Sequence, residues 1–522
     1  MDSITAKMIS SKTAERELIE RVSNRRQHLS ILLPILLVYF VLACYGLEYQ
    51  SLWIDEILSV RDAASASTIW KKGQGPLHFA MLHVWMRLGT SEVVLRALSV
   101  LVGAVALCLF YAICTTLYDK RVTLIGTMLF ATSPYVIWYS QEVRYIIVML
   151  ATTLLSMYTL RRLSVHSRWA MWLAYGGSVA LALAAFVANV FLPLAQGLYL
   201  LWSPSRRRLL GAWIVCLMLA SVPFGVWVSS KVAKTVQVET TASNQQRVSI
   251  DTKQLSRGRA AARTTTLAIV PYTFFVFSAG LTQGPSVHEL HKSQSLATLL
   301  SYAPILVSLG LLFGGLFLVG LIAIWRQPDV GKFLTLWLCI PLLGVWSLTF
   351  ITNLGYNVRY TTMVFPAYLL ILAAGITWFP RTWLQVTLLV AVLVSNGVSL
   401  ANYYFNPSYG REDVRAAVQY LESVRQPRDV FLAVGDTHAL HYYAQGTLPF
   451  ERLGRVSKLD RPPIEVLRDI ARDRDRLCLI EVRPWQSDPD GKWKAALGGA
   501  YPLIEQKRFA GGVSIHCYRL SR

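Results

Sequence analysis

Residues 29–56 read LSILLPILLVYFVLACYGLEYQSLWIDE. The run 29–46 holds no charged residue and is close to the roughly 20 residues that cross a bilayer as a helix. Charge returns just past it, at Glu48 and then at the adjacent pair Asp55-Glu56. Before it stands a polar tail, residues 1–28, with Lys7, Lys12, Arg16, Arg21, Arg25 and Arg26. Basic residues beside a first span hold that end in the cytoplasm. No small-residue cleavage site follows the run, so it reads as a signal anchor. The acidic pair then falls in the first extracytoplasmic loop.

The apolar pattern repeats along the chain. Further runs centre near Val105, Thr127, Met149, Leu181, Met218, Leu311, Trp337, Leu370 and Leu389. Backbone polar groups in lipid must pair within the segment, so such runs are helices. Of the 522 residues 54% are hydrophobic and only 16% charged, against about 25% charged in a soluble domain. Mean hydropathy is +0.42. The fold class is a polytopic α-helical membrane protein.

The net charge of +21 comes from 51 basic and 30 acidic residues. The basic residues lie in short clusters between the apolar runs, the pattern of topology signals, and no nucleic-acid-binding motif is present. Alternating the spans puts Lys120-Arg121, Arg161-Arg162, Arg168, Arg206-Arg207-Arg208, Arg326, Lys332 and Arg381 in the cytoplasm with the tail. This holds if the weak apolar stretch 268–280 does not cross alone. The expected count is about eleven spans, with thirteen as the alternative, and either leaves the C-terminus outside.

The expected division is a cytoplasmic tail 1–28, a transmembrane catalytic domain 29–406 with outer loops 48–94 and 229–298, and an extracytoplasmic domain 407–522. The loop 48–94 carries short apolar pieces that suit helices lying on the membrane surface. From 407 onward a helix over 411–424, a strand over 430–434, a helix over 464–471 and strands over 477–482 and 513–518 spell a small α/β domain. Five cysteines lie in apolar runs. The other two, Cys478 and Cys517, can pair if their domain is extracytoplasmic. No metal-ligand spacing of Cys or His occurs.

Two short outer loops, which should be poor in basic residues, each hold an arginine in an aromatic motif. Arg144 lies in YSQEVRY, residues 139–145, and Arg359 in NVRY, residues 357–360. A charge on the side that topology disfavours is a functional candidate, although snorkelling to lipid headgroups also accounts for it. Asp55 is a candidate general base. Adjacent helical residues point in different directions, so Glu56 is assigned a bracing or binding role. Gln74-Gly75-Pro76-Leu77-His78 adds a fixed turn and two polar side chains. His83 sits in an apolar helical stretch and reads as a packed residue.

Together, WIDE (53–56), GPLHFAMLHVWMRLGTSEVVLRALSVLVGA (75–104), SPYVIWYSQEVRY (133–145) and NVRYTTMVFPAYLLILAAGI (357–376) resemble protein O-mannosyltransferase-like enzymes. These belong to the GT-C glycosyltransferases, which include the bacterial aminoarabinose transferases. NPSYGREDVRAAVQYLESVRQPRDV (406–430) is similar to bacterial members. The resemblance implies inverting transfer of a sugar from a polyprenyl phosphate to an envelope acceptor (glycolipid, polysaccharide or protein) at the outer face of the bacterial inner membrane. It implies Asp55 as the base, Glu56 as the supporting acid, and Arg144 and Arg359 at the lipid phosphate. Gln74, His78, Glu142, Tyr145 and Tyr360 are the candidate substrate contacts. Asn189 stands where many members have a His. A lipid phosphate already leaves well, so a divalent metal is allowed but not required. A flippase of lipid-linked saccharides and a non-catalytic membrane scaffold remain as alternatives.

Overall fold

The computed structural model describes residues 28–69, 75–242, 269–286, 289, 300–352, 355–453 and 461–520. Among them, six helices are long and apolar enough to cross a bilayer: Glu92–Leu117, Pro204–Ser229, Ala303–Ile324, Pro328–Ile351, Val358–Thr377 and Thr382–Phe405. Lys120–Thr132 and Pro134–Ser140 make a seventh if this pair, bent by 50°, is one broken span. Pro134 causes the break, since its ring and missing N–H stop the preceding helix. The Ser133 side chain then caps the new helix by accepting from the Val136 amide.

Length and composition thus give six or seven crossings where about eleven were expected. The difference lies in shorter apolar helices that were expected to cross, His28–Cys44, Ile146–Arg162, Trp169–Ala185 and Val187–Trp202. Trp169–Ala185 has 17 residues, which is about 26 Å at 1.5 Å per residue, slightly under a hydrocarbon core of about 30 Å. Ile269–Ala279 has 11 residues, about 16 Å, and is too short to cross alone. The bundle exterior is apolar: Leu311, Leu318 and Ile322 are 63–74% exposed. Lipid tails accept such side chains without cost.

The first loop folds as the short helices Ile54–Ala63, Ala66–Ile69 and Pro76–Trp85. Gly75 takes φ 70° immediately before Pro76. A Cβ there would meet the Ala184 and Ala185 carbonyls at 2.6 Å, so only glycine lets the loop lie on the bundle. The tail before His28 lies outside the described residues, as do 243–268 of the expected outer loop 229–298; that loop's first residues, 229–242, instead continue the helix Leu210–Ala242.

The C-terminal segment holds strands β1 (Asp429–Gly435), β2 (Phe450–Arg452), β3 (Arg476–Val482), β4 (Leu503–Arg508) and β5 (Ser514–Arg519). Their order is β2-β1-β3-β5-β4. β1 is parallel to β2 and β3, while β5 is antiparallel to β3 and β4. Cys478 and Cys517 face each other across β3 and β5 and form a disulfide. One face of the sheet shares a core with the first loop: Leu52, Ile57, Val60 and Leu82 pack in one cluster with Val418, Leu440 and Ile480. The first-loop helix is therefore held between the bundle and the sheet domain.

Candidate active site

Asp55 and Glu56 lie in the first turn of Ile54–Ala63, about 100° apart around the helix, and their environments differ sharply. Glu56 is fully buried. Arg96 grips it with both prongs, Nε to Oε1 at 3.2 Å and Nη2 to Oε2 at 3.0 Å. Arg411 Nη1 adds a bond to Oε2 at 3.3 Å, and the Val143 amide donates to Oε1 at 3.0 Å. Burial alone would push this carboxyl up, but the two guanidiniums and the amide outweigh it and hold Glu56 below the usual range. A carboxylate with all its lone pairs spent is a brace rather than a proton acceptor.

Asp55 is 24% exposed at its side chain and opens to the loop surface. Arg359 Nη1 donates to Oδ2 at 2.9 Å. Arg144 Nη2 lies 3.4 Å from the same oxygen, and its Nη1 donates to the Asp55 carbonyl at 3.2 Å. Burial would raise this carboxyl, and the charges of Arg144 and Arg359 together overcome that and lower it. Arg483, at the end of β3, contributes to the same field. Arg144 Nε and Arg359 Nε are buried without a hydrogen-bond partner. The site therefore holds unspent donors beside one ionised carboxylate.

The arginines are themselves positioned. The Gln141 side chain donates to the carbonyls of Ala43 and Tyr45, tying the Arg144 loop to the end of the first apolar helix. Tyr145 stacks on Phe186 at 4.8 Å, and Phe186 stacks on Tyr360 at 5.7 Å. The Arg144 and Arg359 guanidiniums sit 5.3 and 5.7 Å from the Tyr145 and Tyr360 ring centres. The three rings thus form a wall that both cations lean on.

The Glu142 carboxylate does not hydrogen-bond the Arg144 guanidinium; the two meet through the backbone, where the Arg144 amide donates to the Glu142 carbonyl at 2.9 Å. The carboxylate accepts from Arg411 Nη2 at 3.2 Å and from the Trp138 indole at 2.8 Å, and its Oε2 is buried without a partner. Burial pushes its pKa above the usual carboxylate value, with Arg411 opposing. His78 is buried, and neither ring nitrogen makes a hydrogen bond. Burial, reinforced by the nearby Arg144 charge, lowers its pKa to about 3, so the ring is neutral. His83 Nδ1 lies 2.7 Å from the Ala63 carbonyl, which braces two loop helices. Gln74 lies outside the described residues. Asn189 is buried and donates to the Ala182 carbonyl at 2.7 Å.

Four residues escaped the sequence reading. Arg96 stands near the start of the helix Glu92–Leu117, on the side the sequence leads one to expect outside, so the argument used for Arg144 and Arg359 applied equally. Arg411 comes from the C-terminal segment and bridges Glu56 to Glu142. Arg483 donates to Glu412 at 2.6 Å and lies 5.2 Å from the Trp53 ring centre. Phe186 had no signal apart from its apolar context. Among the described residues, no group of three His, Cys, Asp or Glu side chains is spaced to hold a metal ion. Asp55 itself faces two cations, so the donor set here does not fit a dication.

Residues 73–228 match the family model described as dolichyl-phosphate-mannose-protein mannosyltransferase. In structure, the apo form of ArnT from Cupriavidus metallidurans superposes with a TM-score of 0.56 at 11% identity, over 95% of this chain and 98% of that one. The chain carries the GT-C glycosyltransferase fold. ArnT from the same organism bound to undecaprenyl phosphate is similar to this chain with a TM-score of 0.51 at 13% identity, covering 94% of this chain and 98% of that one. The oligosaccharyltransferase AglB from Archaeoglobus fulgidus, in complex with an inhibitory peptide and a dolichol-phosphate, gives 0.51 at 10% identity, over 96% and 75%. No curated protein sequence matches this chain.

Proposed function

We propose that the chain is an inverting glycosyltransferase that moves a sugar from a polyprenyl-phosphate donor to an envelope acceptor at the outer face of the cell membrane. The observation that carries this reading is the Asp55 carboxylate between Arg144 and Arg359. Both guanidiniums face the carboxylate. A donor phosphate beside them offers more acceptor oxygens in the forked geometry that arginine matches. Arg144 and Arg359 then shift their bonds toward the phosphate, and an Asp55 oxygen is freed for the acceptor.

The acceptor hydroxyl attacks the anomeric carbon from the side opposite the phosphate. Its proton passes to Asp55 as the new glycosidic bond forms. The bond between the anomeric carbon and the phosphate oxygen breaks, and its electron pair leaves on the polyprenyl phosphate. Arg144 and Arg359 stabilise the charge that grows there. Neutral His78, Glu142 with its free oxygen, Gln74 and the Tyr145 and Tyr360 rings are assigned to the sugar.

ArnT is bound to undecaprenyl phosphate and AglB to a dolichol-phosphate, which supports a polyprenyl phosphate here. The orientation proposed is a cytoplasmic tail and an extracytoplasmic domain over 407–522. The Cys478–Cys517 disulfide suits an oxidising compartment. Arg161 and Arg206 cluster near Asp329 at the other end of the bundle, as the basic inner face requires. The test is to incubate purified protein with labelled polyprenyl-phosphate sugars and envelope extract. Label should move to an acceptor while free polyprenyl phosphate accumulates. Intact donor crossing vesicles without cleavage would instead favour a flippase.

A further inference from the structure

The far end of the bundle carries a second feature that the transfer reaction does not use. Glu92–Leu117 starts beside the acidic site and runs 26 residues, about 39 Å, to the opposite boundary. There Gly315–Ile324 and Phe365–Thr377 cross with their backbones in contact. A Cβ on Gly320 would lie 2.0 Å from the Ile371 carbonyl oxygen, and one on Gly375 would lie 2.2 Å from that of Leu316. Glycine at both positions allows the approach, and it brings Arg326 and Trp378, just past the two helix ends, together. The Arg326 guanidinium stacks 3.5 Å from the Trp378 ring centre.

Between these ends and Tyr118-Asp119 lies a pocket of about 170 Å³, lined in part by Tyr118, Asp119, Arg326, Gln327 and Trp378. The Arg326 side chain makes no hydrogen bond or ion pair with any described residue, so stacking fixes its plane while its donors stay free. The Tyr118 hydroxyl is buried without a partner. Asp119 caps Lys120–Thr132 through one oxygen, to the Val122 amide at 3.1 Å, and pairs with no described cation. Arg326 and Asp119 thus line one cavity with opposite charges and do not meet.

We propose that this pocket binds the headgroup of a membrane phospholipid that carries both a phosphate and an ammonium, as phosphatidylethanolamine does. Arg326 and the Tyr118 hydroxyl take the phosphate, and Asp119 takes the ammonium. The pocket lies at the ends of apolar helices, where aromatic rings favour headgroup depth, and basic pockets between helix ends are suited to lipid phosphates. The gap between the two charges is what a zwitterionic head spans and a bare phosphate does not.

The test is native mass spectrometry of the full chain with phosphatidylethanolamine, phosphatidylglycerol or inorganic phosphate, with thermal melting to confirm that each variant folds. We expect one phosphatidylethanolamine to be retained in preference to the other two. Arg326→Ala should weaken it about tenfold, the loss of one charged hydrogen-bonding group. Asp119→Asn should remove the preference over phosphatidylglycerol, and Tyr118→Phe should weaken both lipids. Equal retention of both lipids, unchanged in Arg326→Ala, would mean bulk lipid only and would overturn the proposal. So would inorganic phosphate displacing the lipid.

Discussion

The Asp55 carboxylate accepts a 2.9 Å hydrogen bond from Nη1 of Arg359, 304 residues further along the chain. Arg144 approaches the same oxygen from a third segment, at 3.4 Å. The proposed base and the cations proposed for the leaving phosphate are thus in direct contact.

Arginine rather than charge alone matters at 144 and 359. Lysine at either place keeps the charge but loses the planar fork and the support of the Tyr145 and Tyr360 rings. We expect Arg144→Lys and Arg359→Lys each to lower kcat by roughly 100-fold, the scale seen when one transition-state donor is removed. Steady-state kinetics with a labelled donor checks this. A change confined to KM would place the arginines in ground-state binding instead.

Arg411 holds two buried acids together. Arg411→Ala leaves Glu56 short of one cation and Glu142 with the Trp138 indole alone among its side-chain partners. Breaking a buried ion pair on one side costs roughly 3–5 kcal/mol. A markedly lower Tm by fluorescence-monitored melting is expected, with loss of activity in parallel. An unchanged Tm would show that the C-terminal segment does not brace the site.

The pH profile separates Asp55 from His78. Asp55 is depressed in the folded protein, so its ion pairs contribute fully above the ordinary aspartate value near ~3.9 and are lost as pH falls through the lower folded value. The acid limb of kcat/KM should therefore lie below about 4. His78, lowered to about 3 by burial and the Arg144 charge, should give no limb near its ordinary ~6.5. A limb at that position that disappears in His78→Gln would move the base from Asp55 to His78.

Much of this arrangement was legible from the residues. The apolar runs gave the helical bundle, and the motifs around Asp55, Arg144 and Arg359 gave a set that the fold brings together. Strands β1, β3 and β5 were readable because they are apolar and buried. β2 has three residues, and β4 reads LIEQKR on an exposed edge, so neither shows a core periodicity. Arg411 and Arg483 were missed for a different reason. Their partners Glu56 and Trp53 lie more than 350 residues away, and only the packing of the sheet domain on the first loop brings them together. The Pro134 break illustrates the same limit: the proline is visible in sequence, but the direction in which it aims the Arg144 loop is not.

The most direct measurement combines turnover and donor binding in Asp55→Asn. The amide is the same size, cannot take the acceptor proton, and no longer competes with phosphate for Arg144 and Arg359. We expect transfer of labelled sugar to be abolished while undecaprenyl phosphate binds as tightly as to the unaltered protein, or more tightly. An Asp55→Asn protein that still transfers sugar at the original rate, or one that loses phosphate binding altogether, would contradict the division of labour between the carboxylate and its two arginines.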